Sequence, residues 1–297
     1  MKEVIRKPIP IALSGEYMDQ LTNENGGGRK YEVYGETYTS VTSVISNTLR
    51  NFGVEKWKSD WVDSQLVQFN GRKLTKSLAT EIVTASDAEM QRSADIGTHM
   101  HNIIERLLRD EDVNDVPEQL EPAVRAWLKW RRQFIEWELV GTEVGVWHPD
   151  MFAGQVDALF RNGHNPNEYL VVDWKTSSGL YDSSFLQAAA YARALQTMYM
   201  VEHGIQTNLV QAQSVKACAV RLVNDYPRIH CSNPEHYPPK GEHTDKCRHG
   251  KKNRRVDKIF TDQCEYVMVD VPTWYETFSH VLAVHRGKSA RVGRVKL

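Results

Sequence analysis

The sequence predicts a mixed α/β layer fold. Stretches with apolar residues every three or four positions alternate with short segments rich in β-branched and aromatic residues. Their order is helices, three strands, a helix, then more strands, which fits neither an eight-unit barrel nor a repeated dinucleotide-binding unit. The chain has 297 residues, 41 % hydrophobic and 25 % charged. That is ordinary globular usage, with enough apolar material for a sizeable core.

Residues 1–36 read as an irregular N-terminal arm, broken at Asn25-Gly26-Gly27-Gly28. The remainder, 37–297, reads as a single domain. Tyr31 to Tyr38 reads as a hairpin turning at Gly35-Glu36, and Ser40 to Asn51 starts a helix. Trp57, Trp61, Leu66 and Phe69 recur at roughly helical spacing. Ala94 to Asp110 is an amphipathic helix, with Ile96, Met100, Ile103, Ile104, Leu107 and Leu108 on its stripe. Glu121 to Glu138 is a second helix, and its stripe of Trp127, Trp130, Phe134 and Trp137 reads as core. The period then changes. Gly141–Trp147, Gly154–Phe160 and Tyr169–Lys175 are strands, the last two joined as an antiparallel hairpin through residues 162–167. Ser184 to Val201 is helical, Ser214–Val223 and Cys264–Val271 are strands, and Thr273–Val284 is a closing helix.

Net charge is −1, which selects no partner. From Lys246 to Leu297, however, there are twelve Lys or Arg against five Asp or Glu. Such a basic stretch is either a polyanion footprint or a solvated loop. No apolar run approaches the roughly 18 residues a spanning helix needs, so no membrane partner is expected. Met1 to Gln20 lacks the pattern of a signal peptide, and the four cysteines are too few for a disulfide framework in a chain this long. A reducing, cytoplasmic setting follows as the expectation.

The chemistry centres on Tyr169-Leu170-Val171-Val172-Asp173-Trp174-Lys175. Residues two apart on a strand share a face, so Asp173 and Lys175 project together and Trp174 points away. If the hairpin turns near His164 and Asn165, Asp157 falls almost opposite Asp173. Adjacent strands lie about 5 Å apart, so the two carboxylates could share one cation. Two acids and a lysine at a strand end suit metal-assisted phosphodiester hydrolysis. Read alone, Asp-x-Lys is more commonly an edge-strand ion pair. On the helix at Ala94, His101 and Glu105 share a face with Gly97, where the missing side chain allows close approach. Gln187 and Tyr191 share a face of a later, alanine-rich helix.

The ordered set Gly97-x-x-x-His101, Glu143, Gly154-x-x-Asp157, Asp173-x-Lys175 and Gln187-x-x-x-Tyr191 resembles the PD-(D/E)XK nuclease superfamily, in its RecB-like exonuclease branch. Thr39-Ser40-Val41-Thr42 resembles the Pro-Ser-Val-Thr segment near the start of such proteins. The likeness covers roughly residues 38–223. It implies a restriction-endonuclease-like mixed central sheet flanked by helices, with a helical N-terminal section. It further implies a Mg²⁺- or Mn²⁺-dependent DNA exonuclease, with His101, Asp157, Asp173 and the Trp174 carbonyl as metal ligands. Lys175 would be the catalytic lysine, Gln187 and Tyr191 would position DNA or site side chains, and Glu143 would sit beside the site, near the scissile phosphate or a second metal. The implied partner is DNA, at linear ends or as a single strand. This chain carries no helicase motif, which leaves room for a recombination or helicase partner. A non-catalytic DNA-binding or docking module, or a structure-specific endonuclease, is the alternative.

Some members of that branch hold a 4Fe-4S cluster with one cysteine ahead of the nuclease core. Here no cysteine precedes Cys218, and Cys218 and Cys264 read as buried strand residues, so no cluster is expected. The insert at 226–255 is rich in Cys, His and basic residues. It is either a polar loop or a structural Zn²⁺ site built from Cys231, Cys247, His249 and one of His236 or His243.

Overall fold

The computed structural model describes residues 4–23, 28–49, 52–66, 75–202, 205–208, 214–225, 230–231, 254–255 and 259–292. Among the described residues thirteen strands run in chain order. They are β1 (Val4–Pro10), β2 (Tyr17–Asn23), β3 (Lys30–Val33), β4 (Glu36–Ser40), β5 (Trp137–His148), β6 (Phe152–Asn162), β7 (Glu168–Lys175), β8 (Tyr199–Glu202), β9 (Ile205–Asn208), β10 (Ser214–Asp225), β11 (His230–Cys231), β12 (Arg254–Arg255) and β13 (Ile259–Val269). The helices are α1 (Val41–Thr48), α2 (Phe52–Leu66), α3 (Lys76–Leu108), α4 (Glu121–Gln133), α5 (Asp182–Thr197) and α6 (Val271–Val292).

A nine-stranded mixed sheet dominates, in the order β1-β2-β3-β4-β6-β7-β10-β13, with β5 also paired to β6. β4 runs parallel to β6 and β10 parallel to β7, while the other pairs in it are antiparallel. β8 pairs with β9, and β11 with β12, outside it. The expected α/β layering is therefore present.

The N-terminal segment corrects the sequence reading. Residues 1–36 were expected to be an irregular arm up to the hairpin at Tyr31, but they also supply β1 and β2, while β3 and β4 form that expected hairpin. Just past β1, Ile11 bridges Gly145 of β5, and the Ala12 N–H donates to the Gly145 carbonyl at 2.9 Å. The path β1-β2-β3-β4-β6-β5 thus returns to β1. Ile9, Ile11, Met18, Tyr31 and Val33 from this segment join a core with Val146, Phe152, Leu186, Leu195 and Phe278.

The central strands bury both faces. Leu170, Val172 and Trp174 of β7 pack with Met100, Ile103 and Ile104 of α3 and with Trp127 and Trp130 of α4. Trp174 meets Trp130 edge-on at 5.0 Å and Trp127 at 6.2 Å. Trp127 and Trp130 of α4 are therefore core, as expected, while Phe134 and Trp137 lie past the end of α4 and are partly buried against that core. On the opposite face Val171 lies in the cluster that holds the buried alanines of α5. Ala188, Ala189, Ala190, Ala192 and Ala194 are wholly buried, and their small side chains let the helix lie close on the sheet.

Several boundaries differ. α3 starts at Lys76 rather than near Ala94, and α2 packs along it. α4 ends at Gln133, so Trp137 and Glu138 open β5. α5 ends at Thr197, and Tyr199 to Glu202 pairs as a strand. Among the described residues no helix is long and apolar enough to cross a membrane.

Candidate metal centre

The residues singled out from the sequence converge from α3, β5, β6, β7 and α5. β6 and β7 are antiparallel with Ala158 opposite Val172, and the same register brings Asp157 level with Asp173. The ladder stops there, because an Asp157 side-chain oxygen takes the place of the next partner: Oδ2 accepts the Trp174 N–H at 2.7 Å. The other oxygen, Oδ1, lies 3.6 Å from His101 Nδ1. α3 reaches this point because Gly97 passes the strand that ends in Lys175. A Cβ on Gly97 would come 2.9 Å from the Thr176 hydroxyl.

Glu143 completes the group. It stands between the pairs Thr142↔Ala158 and Val144↔Val156, hence opposite Asp157. Its φ of 53° lies in the left-handed region, unusual for a non-glycine residue inside a strand. Gln155 Nε2 donates to the Glu143 carbonyl at 3.1 Å and holds that turned backbone. Ligand atoms of His101, Glu143 and Asp157 all lie within 4.8 Å of one another. Among the described residues these three form the one such group.

Burial, then the nearby Asp157 and Glu105, push the Glu143 carboxyl up to about 7. Its charge is thus undercompensated by the protein alone. One imidazole nitrogen and two carboxylate oxygens converging on one space can hold a divalent cation, and that cation would offset the repulsion. Glu105 shares the His101 face, as expected, but its carboxylate is engaged by Arg109 at 2.6 Å and by the Thr142 hydroxyl at 3.5 Å.

Asp173, expected among the ligands, lies outside this threesome. Its Oδ2 pairs with Lys175 Nζ at 2.5 Å, and its Oδ1 accepts from Gln187 Nε2 at 2.9 Å. Burial raises the Asp173 carboxyl above the usual range, and Asp157 adds to it while Lys175 opposes. Burial pulls the Lys175 ammonium down, but Asp173 and Asp157 more than reverse this, so it ends above its usual value and stays charged. Lys175 Nζ also donates to Gln187 Oε1 at 3.3 Å, and Gln187 Nε2 donates to the Tyr191 hydroxyl at 3.2 Å. Gln187 therefore orients the acid and the lysine together. Trp174 contributes its N–H to Asp157, while its side chain is core.

Two buried residues of β10 were missed by sequence reasoning. Arg221 pairs with Lys175 across the parallel ladder, and its Nε donates to the Ser177 carbonyl at 3.1 Å. Asn224 Nδ2 donates to the carbonyls of Thr176 and Ser177 at 2.7 and 3.2 Å. Together they clamp the turn that follows Lys175. The available signal was Arg221 within the apolar run from Ala217 to Val223, a run that reads as a buried strand.

Cys218 is buried and Cys264 half-buried in facing strands, and burial pushes both thiols up to about 12. Cys247, His249, His243 and His236 lie outside the described residues, as does the side chain of Cys231, so the zinc reading falls there too.

No model of a known protein family and no curated protein matches the chain.

Proposed function

We propose that this chain is a divalent-metal-dependent deoxyribonuclease that acts from DNA ends. The observation that carries the reading is the convergence of His101, Glu143 and Asp157 within 4.8 Å, beside a lysine tied to a buried acid. Mg²⁺ or Mn²⁺ held by His101, Glu143 and Asp157 would lower the pKa of a water and offset phosphate charge. One imidazole among carboxylates favours tolerance of Mn²⁺.

The protein's own groups divide the remaining work. Lys175 stays protonated, so it orients the incoming phosphodiester and stabilises negative charge on its oxygens, rather than removing a proton. Asp173 holds that ammonium in place. Gln187 fixes the pair through one contact to each. Tyr191, whose phenol burial keeps well above its usual pKa, remains a neutral partner for Gln187. Preference for DNA ends comes from the RecB-like resemblance rather than from this geometry.

The test uses end-labelled linear single- and double-stranded DNA and a covalently closed circle, each with Mg²⁺ or Mn²⁺. Metal-dependent degradation of the linear molecules is expected, with the circle intact. Asp173→Ala and Lys175→Ala should abolish it. Equal cleavage by both variants and the wild type would remove the site assignment, and efficient cutting of the circle would remove the end requirement.

A further inference from the structure

The N-terminal strands place a cation beside the metal centre, and nothing so far uses it. Lys7 stands in a cross-strand row, Lys7↔Gln20 and Gln20↔Tyr31, on adjacent strands β1, β2 and β3. Residues two apart on a strand share a face, so Lys7 is on the side of Ile9 and Ile11, which are buried in the core. This inner side is the one that closes onto β5 at Gly145. The bridge there is parallel, so stepping back from Ile11 to Lys7 follows β5 back toward Gly141 and Glu143. Lys7 lies close enough to Glu143 for its charge to act on that carboxyl.

Its neighbour Arg6 makes the contrast. Arg6 is on the outer face and is occupied by Asp19 and Glu32, each at 2.9 Å. Lys7 is exposed, and among the described residues no carboxylate lies within ion-pair distance of it. An exposed ammonium without an ion-pair partner attracts an approaching polyanion, so Lys7 has a physical use on the rim of the site.

We infer that, in the deoxyribonuclease proposed above, the Lys7 ammonium grips a backbone phosphate of the bound strand beside the His101, Glu143 and Asp157 group, so that the N-terminal strands form one wall of the substrate site. The contact is to phosphate, so it adds affinity without sequence preference. Lys7 is a binding residue here and takes no part in bond breaking.

The experiment measures kcat and KM on an end-labelled single-stranded oligonucleotide over a range of NaCl concentrations with Mn²⁺. Lys7→Gln should raise KM about five-fold and leave kcat within about two-fold. It should also flatten the log–log salt dependence of kcat/KM by roughly 0.7, the loss of one phosphate contact. Lys7→Arg should restore both, and Arg6→Gln on the outer face should match the wild type. A Lys7→Gln enzyme with the wild-type salt slope and KM overturns the inference and leaves the nuclease reading standing on wild-type cleavage. Absence of wild-type cleavage removes both. A second readout needs no variant: bound oligonucleotide should slow acylation of Lys7 but not of Lys30 on the outer face. Equal rates at Lys7 with and without DNA overturn the inference as well.

Discussion

The ring of Tyr191 occupies the space where a side chain on Gly154 would stand. A methyl there would overlap the ring carbons and come 3.0 Å from the hydroxyl oxygen. Gly154 is on β6, three residues before Asp157, and Tyr191 is on α5. The contact thus joins the strand that bears Asp157 to the helix that bears Gln187. Gly154→Ala should overpack this junction and cost about 1–3 kcal/mol of stability. It should also lower cleavage ten-fold or more, because a displaced Tyr191 drags Gln187 from Asp173 and Lys175. Denaturant unfolding and single-turnover rates check the two effects, and retention of both would show that α5 has slack at this point.

If His101, Glu143 and Asp157 share a cation, that cation should stabilise the fold. A ligand at about 100 times its Kd adds about 2.7 kcal/mol. Mn²⁺ should therefore raise the Tm of the wild type and leave Glu143→Ala and Asp157→Ala close to their metal-free values. Chelation should return the wild type to its starting Tm. A full Mn²⁺ shift in Glu143→Ala would mean that Asp173, not Glu143, supplies the second carboxylate.

The clamp on the turn after Lys175 makes a separate prediction. Asn224 is 3 % exposed and gives both amide hydrogens to carbonyl oxygens. Asn224→Asp replaces that donor with a carboxylate facing two carbonyls, and should cost about 1–3 kcal/mol. Arg221→Lys keeps the charge but loses the Nε bond to Ser177. It should reduce kcat with little change in KM, since it loosens Lys175 rather than a substrate contact. A change confined to KM would place Arg221 in binding instead.

Much of the site was legible because it depends on local periodicity. His101 and Glu105 share a face at i and i+4, and Asp157 meets Asp173 because a hairpin register is set by its turn. The place of Glu143 depends on a left-handed φ inside a strand, which no residue pattern announces, so its convergence with His101 and Asp157 was visible only in the fold. The first half of α3 was missed because it does not lie on the sheet and carries no continuous apolar stripe. The N-terminal strands were hidden by Pro8 and Pro10. Proline is tolerated there because β1 begins the sheet order and along Val4–Pro10 is paired only with β2.

His148 gives the fold a dependence on pH that is separate from the group of His101, Glu143 and Asp157. The ring is stacked on Phe152 with centroids 4.6 Å apart. Its Nδ1 accepts the Asp150 N–H at 3.0 Å, and Nε2 lies 3.4 Å from the Tyr275 hydroxyl. Protonating Nδ1 would turn that acceptor against an N–H. Burial, opposed by Asp150 and helped by Arg193 and Arg286, lowers the His148 pKa to about 4. The folded state therefore binds fewer protons than the unfolded chain between about pH 4 and the unfolded value near 6.5. The stability contribution is fully present above that unfolded value and is lost as pH falls toward 4. Before any discount for solvent near the ring, the loss at about pH 5 is on the order of 2 kcal/mol. Denaturant unfolding at several pH values should show a steeper acid loss for the wild type than for His148→Asn, which can still accept the Asp150 N–H. Identical slopes would mean that the ring is protonated as easily in the folded protein as in water.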